Sequence, residues 1–170
     1  MTDVETFDAF YRGTSQRLTR YAYGLTGDPG EAQDLAQEAY ARAWQRWRRL
    51  RAYDDAEAWL RLVVNRLALD RWRRLRVRRA AAASHPPTPA VEPPSEETVL
   101  LVAAMRGLPF EQRQVLLLHH LMDRSLAEIA DETGTNVNTV KSRLLRGRAA
   151  LAESLSDLKP RTHTGGRHDR

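Results

Sequence analysis

The chain has no cysteine, which excludes a disulfide framework, thiol catalysis and any zinc site with thiolate ligands. Lysine is almost missing: Lys141 and Lys159 are the two, so 25 of the 27 basic residues are arginine. Long apolar runs are missing as well. The longest, Val99 to Met105, falls far short of the roughly 20 residues that a membrane-spanning helix needs. The opening residues Met1 to Phe10 carry acids where a secretory leader would be basic and then apolar, so no leader is expected. Strand-like alternation is absent throughout, and the expectation is an all-α protein. What remains is ordinary for a globular chain, with 42% hydrophobic and 29% charged residues. Its 170 residues suffice for one average domain or two small ones. A soluble, cytoplasmic protein is expected.

The formal net charge of +5 hides a strong segregation. A preference for arginine is as compatible with a GC-rich genome as with a function, but position along the chain says more. Residues 1–41 sum to −4, residues 42–79 to +9, residues 80–105 to −3 and residues 106–170 to +3. One segment is therefore strongly basic, which suggests a polyanionic partner.

The stretch 80–94 holds five of the eight prolines and no periodic apolar pattern. It reads as an extended tether between two helical halves, with a ligand for a peptide-binding module as the alternative. Residues 159–170 have little to bury and are expected to be disordered. In the first half, Phe7, Phe10, Tyr11, Leu18, Tyr21, Ala22 and Leu25 form one helical stripe. A turn at Gly27-Asp28-Pro29 opens a second helix, with Asp28 as cap and Glu31 placed for a capping box. Its apolar face runs from Ala32 to Trp47. A third helix starts near Asp54 or Asp55, again with an acid, Glu57, at the capping-box position. The second half should carry helices at about 96–107, 109–121, 125–133 and 136–155.

The last two of these form a helix-turn-helix pattern. Ser125 and Glu128 make a capping box, Gly134 supplies the left-handed turn residue, and Asn136 caps the longer helix. Leu126, Ile129, Ala130, Val140 and Leu144 would lock the pair. Val137, Asn138, Thr139, Lys141, Ser142 and Arg143 then occupy the turns that enter a major groove in this motif. Asn138 suits adenine, Arg143 guanine, and Val137 or Thr139 a thymine methyl. Lys141, Arg146 and Arg148 are better placed for phosphates. The alternative is a plain helical hairpin with a solvated basic face. The arginines of the third helix, among them Arg66, Arg73 and Arg74, lie near Asn65 and the aromatics Tyr53, Trp59 and Trp72. That mixture suits a single strand, through backbone charge and base stacking. Each tryptophan also falls on an apolar face, where a core role is the simpler reading.

The run Gly27-Asp28-Pro29-Gly30-Glu31-Ala32-Gln33-Asp34-Leu35-Ala36-Gln37-Glu38-Ala39-Tyr40-Ala41-Arg42-Ala43-Trp44 resembles the second conserved region of extracytoplasmic-function (ECF) sigma factors, of the sigma-E type. So do Ala58-Trp59-Leu60-Arg61 and Asn65-Arg66-Leu67-Ala68-Leu69-Asp70-Arg71-Trp72-Arg73-Arg74. Leu108-Pro109, Arg113-Gln114-Val115-Leu116, Leu126-Ala127-Glu128-Ile129-Ala130 and Thr139-Val140-Lys141-Ser142-Arg143-Leu144 resemble the same family's region 4. The resemblance implies a promoter-recognition subunit of bacterial RNA polymerase. It divides the chain into region 2 at 1–79, a Pro-rich linker at 80–95, region 4 at 96–158 and a tail at 159–170. By the resemblance Asp34, Leu35, Gln37, Glu38, Arg42 and Trp44 face the polymerase core; an acidic, amide-bearing strip beside a tryptophan is a reasonable protein-binding face. Arg51, Tyr53 and Asp54 fall in a loop that holds an unstacked base of the −10 element, and Asn65, Arg66, Asp70, Arg73 and Arg74 bind the melted strand. The helix containing Asn136, Val137, Asn138, Thr139, Lys141, Ser142, Arg143 and Arg146 reads the duplex −35 element. Asn138 departs from the small residue, often Gly, that the family has there.

No catalytic constellation is present, and no cofactor is expected: there is no phosphate-binding glycine loop and no nucleophile motif. Adjacent His119 and His120 point about 100° apart on a helix, without further ligands nearby, so no metal is expected either. A separate anti-sigma protein is an expected partner. A dimeric operator-binding regulator that uses only the helix-turn-helix, or a helical adaptor, would be the rival classes.

Overall fold

A computed structural model describes residues 1–78 and 95–158, so the expected tether (80–95, apart from Ser95) and the expected disordered tail at 159–170 lie outside the described residues. Among the described residues there are eight helices and no strand. They are α1 (Asp3–Thr26), α2 (Pro29–Gln45), α3 (Trp47–Leu50), α4 (Ala56–Arg78), α5 (Glu96–Met105), α6 (Phe110–His120), α7 (Leu126–Thr133) and α8 (Val137–Leu158). The all-α expectation holds, and α3 is the element that periodicity did not separate from α2.

Local chemistry sets most of the boundaries. Thr2 and Glu5 close a capping box on α1, and Gly27, at φ 73°, ends it in the left-handed conformation. Asp28 then accepts from the Glu31 N–H at 2.9 Å to start α2, with Pro29 in its first turn. Asp55 caps α4 by accepting from the Ala58 N–H at 2.8 Å. Glu57, placed for a capping box, instead takes the Arg17 Nε–H at 2.9 Å and ties α4 to α1. α2 stops because the backbone turns at Arg46, which rotates Trp47 away from the line of Trp44. Trp47 is thereby buried, donating Nε1–H to Thr6 Oγ1 at 2.9 Å with its ring 5.1 Å from Phe7. Trp44 stays 45% exposed.

The first half packs Leu18, Tyr21 and Ala22 of α1 against the alanine-lined inner face of α2 and against Leu60, Val63 and Val64 of α4. Small side chains on α2 permit the close approach that ridge-and-groove packing needs. In the second half Val115, Leu118, Ile129, Val140 and Leu144 play the same part, each burial contributing about 1.5–3 kcal/mol. The two halves touch. Leu117 of α6 lies against Gly24 of α1, where an added Cβ would come within 2.5 Å of Leu117 Cδ2. The last turn of α1 carries no basic residue of its own. Its orphan carbonyls are met from across: Arg113 donates Nη1–H to the Leu25 oxygen at 2.7 Å, and Arg106 donates to the Gly27 oxygen. Arg113 is buried, and that burial lowers its pKa; its Nε–H finds no partner among the described residues.

Candidate nucleic-acid interface

The helix-turn-helix is assembled largely by backbone chemistry. Ser125 and Glu128 exchange bonds of 2.8 and 3.2 Å at the start of α7. Gly134 sits at φ 65° with open space where a Cβ would be, so conformation alone demands glycine there. Asn136 Oδ1 accepts from the Thr139 N–H at 2.8 Å and caps α8. Its side chain is thus spent on the helix and orients the residues after it. Ile129, Ala130, Val140 and Leu144 are buried between α7 and α8, and Val137 is half-buried against them. Asn138, Lys141, Arg146 and Arg148 project into solvent from α8, while Thr139, Ser142 and Arg143 are half-buried along its flank. The Ser142 hydroxyl donates to the Thr139 oxygen at 3.1 Å. Arg148 reaches His120 Nε2 at 3.4 Å. Burial, then Arg148, then His119, lowers the His120 pKa.

On α4 the residues expected to meet a single strand separate by face. Arg66, Asp70, Arg73 and Arg74 are exposed along one side. Asn65 is 7% exposed and turned inward, accepting from the buried Tyr21 hydroxyl at 2.6 Å. It ties α4 to α1, and burial raises the pKa of that tyrosine.

At the start of α4 lies a cleft of about 510 Å³, lined by Thr6, Phe10, Thr14, Trp47, Arg51, Tyr53, Asp54, Asp55, Ala56 and Glu57. Most of its polar groups are already engaged. Thr14 shares a 2.7 Å bond with Tyr40, whose hydroxyl pKa burial pushes up to about 12. Arg51 donates to Asp3 at 2.6 Å. Glu57 is held by Arg17. Asp55 caps α4 and pairs with Arg61 and Arg124. Burial pushes the Asp55 carboxyl up, yet the Ala58 N–H and the two guanidiniums outweigh it and hold the pKa below the usual range. Asp54 and the Tyr53 hydroxyl have no partner among the described residues, and Tyr53 is exposed at the rim. Sequence reasoning reached Arg51, Tyr53 and Asp54 but missed the walls Thr6, Phe10 and Thr14. Those come from α1, some forty residues earlier, and no local pattern marks them.

The third surface is α2. Asp34, Gln37, Glu38, Arg42 and Trp44 are exposed, with Arg42 donating to Glu38 at 2.9 Å one turn back. Leu35, grouped with them by the resemblance, is 2% exposed and belongs to the core. Between α1 and α2 on one side and α5, α6 and α8 on the other runs a groove of about 1060 Å³, its walls including Tyr11, Arg20, Tyr23, Gln33, Leu101, Met105, His120 and Leu151. Among the described residues no three His, Cys, Asp or Glu side chains gather into a metal-binding group.

Comparison with known proteins gives this geometry a family. Residues 10–78 match the family Sigma-70 region 2, and residues 98–151 match Sigma-70, region 4. The RNA polymerase sigma-E factor of Streptomyces coelicolor is 32% identical over 157 residues, covering 91% of this chain and 89% of the relative. The ECF RNA polymerase sigma factor SigL of Mycobacterium tuberculosis is 33% identical over 157 residues, covering 88% of this chain and 89% of the relative. Among solved structures, the sigma factor RpoE of Bartonella quintana, crystallised in complex with the anti-sigma factor NepR, superposes with a TM-score of 0.73 at 22% identity; the match covers 91% of this chain and 99% of that one, a likeness of fold. Members of the family are transcription initiation factors and not enzymes. The chain belongs to the ECF sigma factors of bacterial RNA polymerase, which direct promoter-specific transcription initiation.

Proposed function

We propose that this sigma factor uses three separate surfaces: the exposed strip of α2 docks on the polymerase core, the cleft and outer face of α4 take the melted −10 strand, and the first turns of α8 read the duplex −35 element. One observation carries this division: α4 leads from a partly aromatic cleft at its start to exposed Arg66, Asp70, Arg73 and Arg74 farther along, whereas Asn138, Lys141 and Arg146 are exposed on the first turns of a capped α8. Arg66, Arg73 and Arg74 supply backbone charge, and Tyr53 supplies a stacking face at the rim. Extruding a base costs a few kcal/mol, which stacking and edge contacts in the cleft must return. Asp54, an acceptor without an internal partner, favours a base that presents an exocyclic amino group. On α8, Asn138 and Arg143 read base edges while Lys141 and Arg146 hold phosphates. Asn65 and Asn136 act beneath these surfaces, holding α4 and starting α8, and Leu35 does the same under α2.

The chain itself catalyses nothing; polymerisation belongs to the core. No helix among the described residues is long and apolar enough to cross a membrane. The proposed location is the cytoplasm, at the nucleoid when polymerase is bound. A separate anti-sigma protein is the proposed regulator, and the groove between the halves supports this, being open and largely apolar. Run-off transcription with core polymerase tests the whole reading. Sequence-specific transcripts that appear only when core and this protein are combined support it; tight operator binding by the protein alone, with no effect on core, would point to the helix-turn-helix regulator instead.

A further inference from the structure

The wall that α1 gives the cleft continues beyond it. Thr14, Phe10 and Thr6 line the cleft, and one turn farther out, on the same face of the helix, stands Asp3. Thr14 is buried and Asp3 is not, so this row runs from the interior toward solvent. Facing Asp3 is the chain that leads into the loop of Arg51, Tyr53 and Asp54. Arg48 and Arg51 lie three residues apart on one side of α3 and its cap, where the backbone stays helical. Both guanidiniums converge on the one carboxylate. Arg51 donates Nη1–H to Oδ1 at 2.6 Å, and Arg48 donates Nε–H to Oδ2 at 3.2 Å.

The other charges of the cleft are balanced from behind. Glu57 is taken by Arg17, and Asp55 by Arg61, Arg124 and the Ala58 N–H, none of which lines it. Arg51 is the one cationic side chain among the lining residues, and Asp3 neutralises it. A strand that places a base in the cleft keeps its sugar and phosphate at the mouth, because only the base is inserted. Two guanidiniums aimed at a pair of carboxylate oxygens suit two phosphate oxygens equally well. These ion pairs are also of the kind that yields. The side chains of Arg48 and Arg51 are 89% and 47% exposed, and pairs open to water hold weakly and are screened by salt. The displaced carboxylate stays tethered to α1, so it continues to repel the strand that replaced it.

We propose that Arg48 and Arg51 form a two-guanidinium clamp for one phosphate of the −10 strand, and that Asp3 is a resident carboxylate which the phosphate must displace. The clamp rests on the cleft being the −10 site. The probe is a labelled DNA single strand, selected from a random-sequence pool for binding to core plus this protein and not to core alone. Its affinity for that holoenzyme is read by fluorescence anisotropy over a series of salt concentrations, and thermal unfolding checks that each variant is folded. Asp3→Asn, which leaves the Thr2–Glu5 capping box in place, should bind about fivefold tighter at low salt. Its log–log salt dependence should steepen by roughly 0.7, because in the wild type the freed carboxylate takes up a counterion as the phosphate releases one. Asp8→Asn removes an equal charge from the same helix, at a residue paired with Arg12 instead, and should change affinity by less than about twofold. Arg48→Gln together with Arg51→Gln should weaken binding by about tenfold, and Asp3→Asn should add nothing in that background. Asp3→Asn that binds no tighter than Asp8→Asn, or that keeps its gain without the two arginines, overturns Asp3 as the competitor. Unchanged affinity after both arginines are replaced overturns the clamp itself. If the pool yields no strand that the holoenzyme prefers over core alone, the reading of the cleft falls, and the clamp with it.

Discussion

The two helices proposed to meet DNA are built on different logic. α8 spends its polar side chains outward, and its position is fixed by one glycine, one cap and a few aliphatic contacts. α4 spends polar side chains in both directions. Asn65 and Arg61 point inward, to Tyr21 and to Glu132, while Arg66, Arg73 and Arg74 point outward. A helix-turn-helix can therefore be recognised from spacing, whereas an arginine on α4 says nothing by itself about which side it serves. The difference arises because α8 has one covered flank, and α4 meets α1 and α2 along one side and α7 through the side chain of Arg61.

Substitutions can break or sharpen that contrast, beginning with the largest effects. Leu118→Ala, in the fully buried core of the second half, should cost about 2–5 kcal/mol by cavity formation. Thermal or urea unfolding reads that loss, and a cost below about 1 kcal/mol would mean that the second half is loosely packed. Asn65→Ala should follow at about 1–3 kcal/mol, because the buried Tyr21 hydroxyl loses its acceptor. If it instead leaves stability untouched and weakens single-strand binding, Asn65 belongs with the outward group.

Asn136→Ala removes the cap of α8 and should cost about 1 kcal/mol in the same unfolding experiment. The exposed arginine should behave oppositely. Arg73→Ala is expected to change stability by less than about 0.5 kcal/mol. It should weaken open-complex formation and reduce the salt dependence of binding by roughly one phosphate contact. Equal losses of stability from Arg73→Ala and Asn65→Ala would erase the division of α4 into two faces.

Acid offers the mildest probe. The Asp55 carboxyl, held below its ordinary pKa by the Ala58 N–H, Arg61 and Arg124, contributes only while ionised. Its contribution is complete above the unfolded value of about 4 and is lost as pH falls through the lower folded value. Glu132, Glu128 and Glu57 face the same guanidiniums, so the pH dependence of unfolding should be compared with that of Asp55→Asn, which is expected to be flatter below about pH 4.

The regular parts were legible for physical reasons. Helical periodicity of apolar residues located α1, α2, α4 and α6. Caps at Asp28, Ser125 and Asn136 marked starts, because orphan N–H groups need an acceptor within a few residues, and Gly27 and Gly134 marked ends for the matching reason. The break at Arg46 was not legible: Ala43, Trp44 and Trp47 continue the apolar pattern, and the turn there accompanies the packing of the Trp47 ring against Phe7 and Phe10 of α1. Glu57 misled in a similar way, since a capping-box spacing cannot reveal that Arg17 stands nearer.

By itself the sequence determined which segments are helical, which turn demands glycine and how the charge is distributed, because those depend on neighbours within a few residues. It also carried the motifs that place the chain in its family. Only the tertiary structure decided which polar residues of α4 face inward, which residues of α1 wall the cleft, and that Arg61 meets Glu132. Each of these joins positions forty or more apart, where local propensity has no influence and packing with charge pairing selects the partner.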